Sequence, residues 1–491
     1  MLFSSQEFLF VFLPLTLLGY LAAARVGNRR ASLTWLVLCS LAFYGWWKPL
    51  YLLLLAPSVV VNFGLGVRLA KPEVAARKAT LIAGIALNLG LLSYFKYANF
   101  FVETAGFLSG HAWRLDPIVL PIGISFFTFQ QIAYLVDTYR SETHEYHFVD
   151  YALFVTFFPQ LIAGPIVHHK DVMPQFDRPY QARPSDLSVG LAIFAFGLAK
   201  KVLLADSVAV YANPVFDTAD AGGAVSASAA WVGMLAYTLQ LYFDFSGYSD
   251  MAIGLARLFG IKLPLNFDSP YKATSVVDFW RRWHKTLSRF LRDYLYFPLG
   301  GNRKGRVRRY VNLMTTMLLG GLWHGAGWNF VLWGFVHGAL LCVNHAWEQV
   351  RRKLGWEPRA ATRWGRVLAC GLTFLAVAIA WVPFRAKTWA GSEAVLSALV
   401  GHTPLSGGAP KGAWPWLIGL SLIVFLAPNT QQIFAAHEPA LDADADPAAG
   451  AWSLYRFSWT PSPRWAFVVA LLTVASILGV SRASEFLYYQ F

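Results

Sequence analysis

A neutral imidazole is the side chain best suited to moving a proton near pH 7, and burial keeps it in its basic form. His324 meets that demand within the run Gly321-Leu322-Trp323-His324-Gly325-Ala326-Gly327-Trp328-Asn329. The glycines beside it allow a substrate to come close and can aim backbone N–H groups at a developing oxyanion. An ionisable residue at membrane depth is a functional candidate by default. The plainer role for His324 is to bond a neighbouring carbonyl and hold a hairpin together. Trp323 and Asn329 flank it as supporting residues. His337, in Trp333-Gly334-Phe335-Val336-His337-Gly338, is 13 positions further on. On an unbroken helix that is about 220° round, so it would not share a face with His324. We read His337 as a structural or supporting residue, and His345 as structural.

A second constellation is Phe279-Trp280-Arg281-Arg282-Trp283-His284-Lys285-Thr286-Leu287-Ser288. Two guanidiniums and an imidazole here can hold phosphates while the Trp residues anchor at the headgroup level. A phosphate-bearing donor such as a nucleotide thioester suits Arg281 and Arg282, and anionic-lipid binding with topology marking is the alternative for them and for His284. Asp244 and Asp250 flank Phe245-Ser246-Gly247-Tyr248-Ser249 directly after an apolar run. Carboxylates there must find partners in the interior. Asp250 reads as half of a structural ion pair, whereas Asp244 either orients an imidazole or joins a polar network with Tyr248.

Metal chemistry is not expected. His144-Glu145-Tyr146-His147 could set two imidazoles on one helix face, but its acidic, polar surroundings lack apolar periodicity and read as a solvated loop. His168-His169, ahead of Lys170, reads as an interfacial pair. Cys39, Cys342 and Cys370 have no paired spacing, which supports neither a disulfide framework nor a cysteine zinc site.

The elements that must position these residues follow from composition. The chain has 491 residues, 56% of them hydrophobic and only 14% charged, against about 25% charged in soluble domains. It cannot cover the surface of water-soluble domains of that size. The formal charge of +14 resides in two stretches, +9 over Arg281 to Arg309 and +5 over Arg351 to Arg366. Such clusters beside apolar runs mark a cytoplasmic membrane face and not a nucleic-acid surface. Apolar stretches recur from Phe8–Ala24 to Trp465–Ser481. At about 20 residues per crossing they predict an all-α polytopic membrane protein, with about 10–13 transmembrane or re-entrant helices around a central tunnel or cavity. The first stretch lacks the basic n-region of a secretion signal and is followed by Arg25, Arg29 and Arg30, so we read it as a retained span with the N-terminus outside. We expect one domain over residues 1–491, a catalytic core near 117–347, and a polar, solvated connector over 438–464.

Two runs break the pattern. Leu120-Pro121-Ile122-Gly123 and Phe158-Pro159 to Gly164-Pro165 disfavour straight helix, reading either as kinks packed against neighbours or as segments lining a cavity. Tyr310 to Trp347 holds 38 residues without Asp, Glu, Lys or Arg between the two basic stretches. As one helix it would be roughly 57 Å long, far beyond a 30 Å core. It must enter and return, with Gly320, Gly321, Gly325 and Gly327 as the expected turn and His324 within it.

Several of these runs together resemble the membrane-bound O-acyltransferase family, and within it the bacterial alginate O-acetylase branch. They are Leu239 to Gly254 with its Asp244-Phe245-Ser246-Gly247-Tyr248-Ser249-Asp250, Phe279 to His284, Arg292-Asp293-Tyr294-Leu295-Tyr296, Leu299 to Gly305 and Leu318 to Ala326. The likeness extends from the Met1-Leu2-Phe3-Ser4-Ser5 opening to the Phe486 to Phe491 ending. It implies a multi-pass protein of the bacterial inner membrane that passes acetyl groups from cytosolic acetyl-CoA to an exported polysaccharide such as alginate, with a periplasmic acetyl-handling partner protein. In the family the histidine of the Trp-His-Gly motif is the essential residue, here His324, and the histidine of Arg-Arg-Trp-His, here His284, is a second candidate. No bound cofactor is implied, acetyl-CoA being a substrate. A peptidoglycan O-acetylase or a D-alanyl transferase is the nearer alternative. A transporter or flippase would share the kinked spans, but no repeat of the Trp-His-Gly region is visible in the N-terminal half.

Overall fold

Hydrocarbon offers no partner to a backbone amide, so a chain this apolar must satisfy its hydrogen bonds within helices. The computed structural model describes residues 1–71, 73, 76–113, 115–142, 147–177, 183–355, 362–402, 408–441, 457–480 and 487, and every regular element among them is helical. Six helices are long and apolar enough to cross a membrane: Phe8–Arg25, Pro49–Ala70, Arg77–Ser109, Pro184–Asp220, Trp328–Lys353 and Arg363–Arg385. Shorter apolar helices follow at Ala413–Leu426 and Pro463–Gly479. The protein is a multi-pass, all-α membrane protein. His144, Glu145 and Tyr146 lie outside the described residues, as does most of the acidic connector. Where that connector is described it is docked and not free in solvent: Leu441 N donates to the Leu263 carbonyl at 3.0 Å, and Lys262 holds Glu438 at 2.6 Å.

One helix, Ala227–Leu258, runs through the interior and packs against Pro184–Ala199, Asp206–Asp220 and Arg363–Arg385. Because it meets protein and not lipid, it tolerates the carboxylates of Asp244 and Asp250. Its contact with Pro184–Ala199 is backbone to backbone. A Cβ added at Gly247 would lie 2.8 Å from the Gly197 carbonyl oxygen, and one at Gly254 2.6 Å from that of Gly190. Glycines seven apart on each helix thus let the two axes approach along a shared seam.

That close approach brings two adjacent lysines onto the carboxylates. Lys200 and Lys201 open a π-helical turn, Lys200–Ala205. Lys200 Nζ reaches Asp250 Oδ2 at 2.6 Å, and Gln431 donates to Asp250 Oδ1 at 2.9 Å. Lys201 Nζ bridges Asp244 Oδ1 at 2.7 Å and Asp206 Oδ1 at 2.8 Å, all three residues buried. Asp250 is therefore half of an ion pair. Asp244 faces Lys201, and its second oxygen accepts from the Leu487 amide at 3.2 Å.

Removing one partner of a buried pair strands a charge and costs about 3–5 kcal/mol. Lys201→Met, which strands Asp206 and Asp244 together, should lower the melting temperature of the detergent-solubilised protein, and adding Asp206→Asn and Asp244→Asn should recover most of the loss. A Lys201→Met variant that melts like the parent would show that the triad does not stabilise the fold.

Candidate active site

His324 is the last residue of the helix Arg306–His324, and the chain turns through Gly325, Ala326 and Gly327 into Trp328–Lys353. The expected hairpin is present, but its turn is shorter than the glycine pattern suggested. Gly320 and Gly321 belong to the first helix. An added Cβ at Gly321 would collide with the Phe330 carbonyl, and one at Gly334 with that of Met317, so these glycines seat the two arms against each other.

A helix ending inside the protein leaves its final carbonyls without intrahelical partners. Here they are met from the long helix Arg77–Ser109, at a π-helical turn over Ser93–Tyr97. Lys96 Nζ donates to the Trp323 carbonyl at 2.6 Å and to the His324 carbonyl at 3.1 Å, and Tyr97 Oη to that of Leu322 at 2.7 Å. Neither residue stood out in the sequence analysis. The one available signal was a lysine interrupting a long apolar run.

The His324 side chain is only 4% exposed. Its ring sits edge-on to Trp323, Trp333 and Phe384, with centroids 5.0, 5.0 and 5.2 Å away. Beside it lies a cavity of about 60 Å³ bordered by Lys96, Pro121, Gly123, Ser125 and Ile162. The broken run at Leu120 to Gly123 therefore lines a cavity. Gly123 adopts φ 74° there to start the helix Ile124–Tyr139. Lys96 and Leu120 also border a vestibule of about 1180 Å³, together with Asn99, Trp113, Gly325 and Ala326.

On the far side of the hairpin lies a basic pocket of about 620 Å³, lined by Trp280, Arg281, Lys285, Arg289, Arg292 and His345 among others. Arg281 is exposed on its wall. Arg282 is committed elsewhere, to Asp278 at 2.8 Å and Asp268 at 3.9 Å. His345 accepts from Arg309 Nη2 at 2.9 Å.

His284 is completely buried, with φ 44° in the left-handed region. Its Nδ1 lies 3.0 Å from Asn266 Oδ1, an oxygen that also accepts from Thr286 Oγ1 at 2.9 Å. An oxygen facing Nδ1 assigns the proton to that nitrogen and leaves the Nε2 lone pair as the basic one. The His284 ring is 6.2 Å from that of Trp323, which in turn adjoins His324. His337 packs 4.8 Å from Trp333 and 5.2 Å from Trp280. The break at Gly325 to Gly327 thus brings His324 and His337 against one indole, despite their separation on an ideal helix. Both nitrogens of His337 and the indole N–H groups of Trp280 and Trp333 are buried without a hydrogen-bond partner among the described residues. Asn329 clasps another segment, donating to the carbonyls of Ala386 at 2.8 Å and Thr388 at 3.0 Å. His168 and His169 are packed within the protein, 3% and 0% exposed, close to Tyr294 and Asp137.

The site thus joins a buried imidazole at a small cavity, a wide vestibule sharing Lys96 and Leu120 with it, and a basic pocket further along the hairpin, within a polytopic membrane fold. The chain belongs to the membrane-bound O-acyltransferase family, whose model matches residues 43–367, and it is an acyltransferase. It is 45% identical over 435 residues to the peptidoglycan O-acetyltransferase of Helicobacter pylori, covering 83% of this chain and 81% of that protein. It is 39% identical to a probable alginate O-acetylase of Pseudomonas aeruginosa over the full length of both. A teichoic acid D-alanyltransferase of Streptococcus thermophilus is 28% identical over 54% of this chain and 68% of its own.

Removing the Asn266 oxygen should let His284 take the wrong tautomer. Asn266→Ala is expected to lower acyl-transfer turnover about tenfold or more, by the orientation argument that applies to catalytic imidazoles. An Asn266→Ala enzyme with parental turnover would exclude His284 from the reaction.

Proposed function

We propose that this protein is an O-acetyltransferase of the bacterial inner membrane that takes acetyl groups from cytosolic acetyl-CoA for the O-acetylation of an exported polysaccharide, alginate or a similar exopolysaccharide. The observation that carries the reading is the position of His324, at a small cavity that shares Lys96 and Leu120 with the vestibule and is linked to the basic pocket by the ring contacts of Trp280, His337 and Trp333. The donor's phosphates bind in the basic pocket, against Arg281, and its arm passes the unpartnered donors of Trp280, His337 and Trp333 toward His324. The acceptor hydroxyl enters from the vestibule. His324 removes its proton, the hydroxyl oxygen attacks the thioester carbonyl, the C–S bond breaks, and the thiolate takes the proton back from the imidazolium. His284 is a second participant, adjoining the same indole.

The basic pocket faces the cytoplasm in this reading, which puts the N-terminus in the periplasm, as the positive-inside rule favours. The acceptor is the polymer itself or a periplasmic protein that relays the acetyl group. Peptidoglycan is the second reading for the polymer, supported by the identity with the Helicobacter pylori enzyme.

Membranes given radiolabelled acetyl-CoA and either alginate or peptidoglycan fragments test this directly. His324→Ala should lower transfer by about 10² to 10⁴ while leaving the protein inserted. A variant with near-normal transfer would sink the assignment. Label on one polymer and not the other decides between the two acceptors. Arg281→Ala should raise the KM for acetyl-CoA about tenfold with kcat little changed, as loss of uniform donor binding does. Arg282→Ala should act on stability and leave KM alone, and the opposite pattern would reassign the phosphate contact.

A further inference from the structure

We propose that Lys96 is a positioning residue for the transfer, holding His324 in register at the neck between vestibule and cavity. The inference rests on the reading of His324 as the residue that serves the transfer.

Lys96 lies within a helix otherwise apolar enough to span the membrane, where an ammonium is costly to place. A methionine would fill the same volume without that cost. What the lysine adds is a set of donors. Two N–H groups go to the last two carbonyls of the His324 helix, at 2.6 and 3.1 Å, and Ser125 Oγ lies 3.4 Å from the same nitrogen. The π-helical turn Ser93–Tyr97 allows the adjacent Lys96 and Tyr97 to reach carbonyls of one helix end, and such turns are frequent at functional sites. The carbonyl that Lys96 fixes belongs to His324 itself, so the backbone from which the imidazole projects is tied directly to a second helix.

The location gives the residue its functional weight. Lys96 borders both the cavity at His324 and the vestibule, so an acceptor moving from one to the other passes it. It does not border the basic pocket. Loss of Lys96 should therefore impair transfer at saturating donor and leave donor binding alone. A purely structural role would reduce the amount of folded enzyme without that split.

The test uses the full-length protein in membranes, with acetyl-CoA and a hydroxyl acceptor, normalised to folded enzyme by size exclusion. Lys96→Met should lower kcat at least tenfold, since misplacing a catalytic group by about 1 Å can cost 10²-fold, while the KM for acetyl-CoA stays within about threefold. Lys96→Arg, which keeps charge and several donors, should recover most of the turnover. Parental kcat in Lys96→Met would overturn the proposal, as would an arginine variant no better than methionine. If Lys96→Met does not accumulate, Lys96→Gln carries the test, with intermediate kcat expected and parental kcat overturning it. His324→Ala in parallel separates the two claims: full activity there removes the underlying reading, whereas an inactive His324→Ala beside a fully active Lys96 variant removes only this one.

Discussion

The site depends on the satisfaction of a helix end at depth. Three carbonyls, those of Leu322, Trp323 and His324, would face a medium unable to hydrogen-bond them. The Lys96 ammonium and the Tyr97 hydroxyl remove that penalty, and in doing so they tie the 306–324 helix to the 77–109 helix. The hairpin can then stop at His324 and turn within three residues. With that end secured, the imidazole has a fixed height, a cavity beside it, and two larger spaces within reach. Glycines complete the arrangement, with Gly321 and Gly334 placing the return arm close enough for Trp333 to contact the imidazole.

Around this point the protein uses aromatic rings as its packing material. Trp323, Trp333 and Phe384 surround His324, while Trp280 and Trp381 extend the cluster to His337. Flat rings pack densely with few rotatable bonds, so the imidazole is constrained by its neighbours. His284 is fixed differently, by an amide oxygen that selects its tautomer.

Much of this was legible in the sequence, for reasons of length and charge. Tyr310 to Trp347 was too long for one crossing and too apolar to lie outside, so a hairpin with His324 near its tip followed. The proline-rich breaks at Leu120 to Gly123 likewise announced an irregular segment at depth. What stayed hidden was pairing across distance. Lys96 meets Trp323 227 residues away, and no local spacing signals that. Asp244 was open between an imidazole and a polar network because its partner Lys201 is on another helix, brought near by Gly197 and Gly247. Gly320 and Gly321 read as turn residues because a glycine serving close approach looks the same in sequence as one serving a bend. Arg281 and Arg282 were indistinguishable until Asp278 and Asp268 claimed the second.

The density of rings around His324 also bears on a problem that every such enzyme shares. A route by which an acyl group can be handed from one compartment toward another is also a potential short circuit for protons and salts. The void at the imidazole is about 60 Å³, room for only a few waters, and the rings packed edge-on about it leave little space for bulk solvent. In the proposed transfer, so small a void would limit the leak of water and salts past the reacting centre.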